Sequence, residues 1–151
     1  MSAHHAPGAA PVARLSDLTA LEQRFVLYAR LWSEGRLGQA EVWRDLVDRD
    51  GPRAASAATE QLDTLLREVM THGRRPLQRH AASCPCAGGD ECVLARFVAL
   101  AAEGAREEAI LMASLLVRAD VSLELTRIAE ALGLTLMREL AEVPRAGVTL
   151  H

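Results

Sequence analysis

Between Cys92 and Val117 lie two almost continuously apolar stretches. Cys92 to Ala102 is broken by Arg96, and Ala109 to Val117 is broken by Ser114, with Gly104 between them as a turn. A helix that is apolar on nearly every side has to sit at the centre of a bundle. The other segments must therefore supply helices with one apolar face each. Leu18, Leu21, Phe25, Tyr28 and Trp32 recur at three- and four-residue steps, which is one helical face. Thr19 and Glu22 have capping-box spacing before it, and Gly35 should end it. A second, shorter helix fits Leu37 to Asp48, burying Leu37, Val42, Trp43, Leu46 and Val47. Asp50-Gly51-Pro52 is a turn. A third runs from Arg53 to His72 over Ala55, Ala58, Leu62, Leu65, Leu66 and Val69.

After Val117, Asp120 or Ser122 can cap a helix that buries Leu125, Ile128, Ala129 and Leu132 and stops at Gly133. A last piece covers Leu134 to Glu142 and ends before Pro144. No stretch alternates with a period of two. The expected fold is all-α: a compact bundle of five to seven helices with short loops. The expected boundaries are a disordered tail over 1–14, one helical domain over 15–143 and a C-terminal tail over 144–151.

Charge narrows the function classes. All 17 basic residues are Arg, with no Lys and no Asn, and the net charge is −3. Abundant Ala beside that bias points to a GC-rich bacterial genome. Nucleic-acid binders concentrate basic residues on one face, and the densest run here is only Arg74-Arg75 with Arg79, so nucleic acid is not an expected partner. Ser122 to Leu140 has helix-turn-helix spacing at Ala129, Gly133 and Leu134. Its second half offers Leu136, Met137 and Leu140 with Arg138 as its sole cation, which favours a helix pair closing the bundle. No run is long and apolar enough for a membrane span. MSAHHAPGAAPVAR has neither the basic start nor the apolar segment of a secretory signal. Cytoplasmic placement is the expectation.

The chemistry concentrates in HAASCPCAGGDEC, residues 80–92, which holds all three cysteines. Zinc takes four thiolate or imidazole ligands in structural sites. Cys84, Cys86, Cys92 and His80 supply that count, with His72, Asp90 or Glu91 as replacements for His80. Pro85 stiffens the first pair, and Gly88-Gly89 lets the chain fold back. Asp90 can cap the following helix. Cys92 would then sit in its first turn, where the helix dipole favours a thiolate. Cys-x-Cys is less specific than Cys-x-x-Cys. An iron–sulfur cluster usually needs a fourth cysteine. Ser83, His80 and Asp90 make a triad on paper only, without a nucleophile elbow.

The expectation is a small non-enzymatic regulatory or adaptor protein whose loop binds zinc and acts on a protein partner. A thiol redox sensor using the same cysteines is the alternative. A plain helical interaction module is the third reading, with its surplus apolar surface buried in a homodimer.

Overall fold

The computed structural model describes residues 8–148, and side chains over 8–138. Six α-helices form a bundle among these residues: α1 Ala20–Ser33, α2 Arg36–Asp50, α3 Pro52–His72, α4 Gly89–Ala102, α5 Arg106–Leu116 and α6 Ser122–Val148. The all-α bundle expected from the periodicity is the fold. No helix among the described residues is long and apolar enough to cross a membrane.

The helix ends follow local chemistry. Thr19 Oγ1 accepts the backbone N–H of Glu22 at 3.2 Å, and Glu22 Oε1 accepts the N–H of Thr19 at 3.2 Å. That reciprocal pair satisfies two donors with no partner inside the helix. Pro52 opens α3 at a position where a missing N–H costs nothing. α4 starts three residues before Cys92. Its N-cap is Gly88, whose N–H donates to Glu91 Oε1 at 3.0 Å, so Asp90 is free for another role.

α4 is the central helix, packed against α1, α5 and α6. From Leu94 to Ala102 only Arg96 is exposed. Phe25, Leu62, Leu65, Leu94, Phe97, Leu125, Leu132 and Leu136 fill the core around it. A polar tie joins α1, α2 and α6 at the bundle's edge. The Tyr28 hydroxyl accepts Arg24 Nε at 3.0 Å and donates to Asp45, while Arg24 Nη1 reaches the Leu136 carbonyl at 3.3 Å. Burial holds the Tyr28 phenol far above its ordinary range, so it stays a donor.

The structure corrects four expectations. First, α5 is not central. It packs through Ala109, Ala113 and Leu116, and it leaves Leu111 and Leu115 exposed because none of the described elements covers that side. Second, α2 buries Gly38, Val42 and Leu46 at four-residue steps and leaves Leu37 and Trp43 exposed. A Cβ at Gly38 would lie 1.9 Å from the Leu31 carbonyl oxygen. The close approach there selects which face of α2 turns inward.

Third, Gly133 does not break the last helix. α6 runs unbroken from Ser122 to Val148, so the helix-turn-helix geometry does not form there. The glycine is a contact: its Cβ would lie 2.7 Å from Ala102 Cβ and 3.0 Å from the Val98 carbonyl oxygen, where α6 crosses α4. The backbone also continues past Pro144, since one lost bond near a helix end need not stop it. Residues 144–148 are therefore helix rather than tail, and 149–151 lie outside the described residues.

Fourth, part of the expected N-terminal tail is a strand. β1, Pro11–Arg14, pairs antiparallel with β2, Cys86–Gly88, through Pro11↔Gly88, Ala13↔Ala87 and Arg14↔Cys86. Residues 1–7, with His4 and His5, lie outside the described residues.

The crossing at Gly133 yields a test. Gly133→Leu should overfill the α4–α6 contact and destabilise the protein by about 1–3 kcal/mol, read as a lower urea midpoint. Unchanged stability would show that the helices do not touch there.

Candidate functional site

The loop between α3 and α4 has no helix of its own, so its backbone carbonyls need donors from elsewhere. They find one in Arg30. Its side chain enters from the last turn of α1 and is 0% exposed. A guanidinium has five N–H donors in a rigid fork, and all five are used. Nε donates to Glu91 Oε2 at 2.6 Å, and Nη2 donates to Glu91 Oε1 at 3.0 Å. Nη2 also reaches the Cys86 carbonyl at 2.6 Å. Nη1 reaches the carbonyls of Ala81 at 3.1 Å and Cys84 at 2.7 Å. The loop is wrapped around a cation supplied by α1.

A second guanidinium holds the residue before Glu91. Arg75 donates to both oxygens of Asp90, at 2.8 and 2.5 Å, and the backbone N–H of Gln78 donates to Asp90 Oδ2 at 2.8 Å. The backbone N–H of Asp90 donates to the Gly8 carbonyl at 3.0 Å. Two adjacent buried carboxylates, Asp90 and Glu91, thus tie the start of α4 to different parts of the chain. The Arg74-Arg75-Arg79 run is dispersed by these contacts. Arg74 Nε reaches the Ser114 carbonyl at 2.7 Å, and Arg79 Nη2 reaches the Ser33 carbonyl at 3.3 Å.

Of the four residues expected to bind metal, two come together. His80 Nδ1 lies 3.3 Å from Cys84 Sγ, and His80 Nε2 lies 2.7 Å from the Ala9 carbonyl oxygen. A carbonyl can only accept, so Nε2 carries a proton and donates it. Nδ1 is then the nitrogen that takes the Cys84 proton. The backbone N–H of Cys86 and then the imidazole hold the Cys84 thiol below its ordinary range. Cys84 and then the Ala9 carbonyl raise the His80 imidazole above its own. Each partner favours the thiolate–imidazolium form.

Cys86 lies in β2 with its carbonyl on Arg30. Cys92 sits in the first turn of α4, but the helix dipole does not win there. Burial, then Glu91 and Glu22, push its thiol up. Of the alternative ligands, Asp90 and Glu91 are taken by Arg75 and Arg30, and His72 pairs with Glu68 at 3.4 Å. All three cysteines are free thiols. Among the described residues no three His, Cys, Asp or Glu side chains gather as a metal ion would need.

Arg30 was invisible to motif reasoning because it lies far from the cysteines in sequence. A signal existed: it follows Val26 by four residues, on the face where Phe25 and Val26 are buried. A cation there needs a buried partner. Ala9 carried no signal, since it contributes a carbonyl only.

No protein-family model, curated protein or solved structure matches the chain.

Removing one side of a buried ion pair strands the other. Arg30→Met should cost about 3–5 kcal/mol by that principle, measured by urea denaturation. Arg30→Lys should recover only part of the loss, because an ammonium cannot serve five acceptors in that fork. A cost of Arg30→Met within the range of surface substitutions would contradict the arrangement.

Proposed function

We propose that this is a small non-enzymatic regulatory protein of the cytoplasm that senses oxidants through the Cys84 thiol and passes the signal to a protein partner. The observation that carries the reading is the Cys84 Sγ–His80 Nδ1 contact at 3.3 Å, with the Ala9 carbonyl fixing the imidazole's tautomer. A thiol, a base and a group that orients the base are the minimum for a reactive cysteine. Cys84 is also partly exposed, so an oxidant can reach it.

The reaction that fits is with a hydroperoxide. The thiolate attacks the terminal peroxide oxygen. An S–O bond forms and the O–O bond breaks. The leaving alkoxide takes the proton from His80 Nδ1, giving an alcohol, a sulfenic acid and a neutral imidazole. A small-molecule thiol then condenses with the sulfenic acid, releasing water and leaving a mixed disulfide. A second such thiol restores Cys84 and leaves as the disulfide of the two.

Zinc binding is the second reading. What favours it is the same pair, since thiolate and imidazole are zinc's usual donors. A zinc-loaded preparation would bind one equivalent in native mass spectrometry and lose it in Cys84→Ser.

Iodoacetamide labelling followed by peptide mass spectrometry should modify Cys84 before Cys92 at pH 7. The rate follows the thiolate fraction. The Cys84 thiol lies below its ordinary range and that of Cys92 above. The Cys84 profile should therefore rise at lower pH. His80→Gln should move that rise to higher pH and slow labelling at pH 7 severalfold. Equal rates at the two thiols, or no response to His80→Gln, would overturn the oxidant-sensing reading.

A further inference from the structure

We infer that the face formed by residues 80–90 is an acceptor for an extended peptide of a partner protein, and that the chain's own Gly8–Arg14 segment occupies it in cis. The proposal goes beyond the oxidant-sensing reading; it shares the His80–Ala9 contact with that reading but does not use the Cys84 thiol.

The occupant is held in an unusual way for a docked segment. None of residues 8–14 is buried, and Val12 is 62% exposed. What binds the segment is backbone. The Gly8 carbonyl accepts from the Asp90 N–H at 3.0 Å. The Ala9 carbonyl accepts from His80 Nε2 at 2.7 Å. Pro11–Arg14 pairs with Cys86–Gly88, and the N–H of Leu15 donates to the Pro85 carbonyl at 2.8 Å. Main-chain bonds of this kind are met equally well by another extended chain, which is the basis of strand addition.

The backbone of the acceptor is fixed from the side away from its occupant, although the His80 ring is oriented by it. Arg30 fixes the carbonyls of Ala81, Cys84 and Cys86 from behind. Glu91 holds the N–H of Gly88, and Arg75 with Gln78 holds the Asp90 carboxylate. A preorganised edge pays little ordering entropy when a strand arrives.

The edge also selects. Gly8 has φ +87°, and a Cβ there would lie 2.1 Å from Asp90 Oδ1. Asp90 cannot swing aside without giving up Arg75 and the Gln78 N–H. A Cβ at Gly88 would lie 3.0 Å from the Gly8 carbonyl oxygen and 3.1 Å from His80 Nε2. The partner segment therefore needs a glycine opposite Asp90, followed by a residue whose carbonyl meets His80. A second copy of the chain is a poorer donor. Leu15 and Leu18 pack against the core directly after β1. Reciprocal exchange would have to unpack both.

The test uses full-length protein and a fluorescein-labelled synthetic peptide, Gly-Ala-Ala-Pro-Val-Ala-Arg-Leu, read by anisotropy. In wild type the cis segment competes at an effective concentration on the order of millimolar. Gly8→Ala should release that segment while leaving helicity by circular dichroism unchanged, and the peptide should bind it at least about tenfold more tightly than wild type. The same peptide with alanine for its glycine should not bind. Failure of the glycine peptide to bind folded Gly8→Ala protein would overturn the proposal. A wild-type dimer in sedimentation that Gly8→Ala abolishes would also overturn it, by assigning the edge to a second copy. Hydrogen exchange on wild type gives a check without variants. The amides of Val12–Arg14 should exchange faster than that of Gly88, which Glu91 holds from the acceptor side, and equal protection would contradict a preformed acceptor.

Discussion

A charged guanidinium with no exposure to water has to be met on every N–H, or its burial costs more than its contacts return. Arg30 satisfies that condition with one carboxylate and three loop carbonyls, and the arrangement of the loop follows from it. Placing the Cys84 and Cys86 carbonyls on α1 sets the path of β2. That path presents an edge to which Pro11–Arg14 pairs. The pairing brings the Ala9 carbonyl to His80, which fixes the proton on Nε2 and turns Nδ1 to Cys84. One buried cation on a helix thus lies at the start of a chain of contacts that ends at a thiol.

The helices were legible because their signal is redundant. In α3, every residue expected inside, from Ala55 to Val69, is buried, since a regular 3.6-residue period leaves one choice of face. The misreadings occur where a single residue decides. Glycine marks a helix end at Gly35 and a helix contact at Gly133, and nothing local in the sequence separates the two. α5 carries the apolar density of a central helix, yet central position depends on what lies on its far side. β1 had no alternation to find, because backbone bonds rather than side chains hold it.

The cysteine segment was half legible. Counting ligands drew attention to the right loop, and His80 with Cys84 is the pair that forms. The count also implied a central cation, and a central cation is present as Arg30, bound by carbonyls rather than by sulfur. Carbonyl groups are the same at every position, so no pattern of residue types reports which of them converge. By sequence Asp90 is a candidate helix cap, and Asp90 and Glu91 are candidate replacement metal ligands. They are the two anchors of the loop. Cys92 shows the balance of effects: a helix N-terminus favours its thiolate, but burial beside Glu91 outweighs the dipole.

The most direct test is nuclear magnetic resonance of the arginine side chains in uniformly labelled wild-type protein, with Arg30 assigned by its absence in Arg30→Lys. A guanidinium bound on all five donors should show a Nε–H protected from solvent exchange and Nη protons resolved from one another by hindered rotation. Such signals from Arg30, unlike those of the exposed Arg67, are the result this account requires. A rapidly exchanging, rotationally averaged Arg30 would contradict it. The cation would then not hold the loop, and the geometry at His80 and Cys84 would lose its foundation.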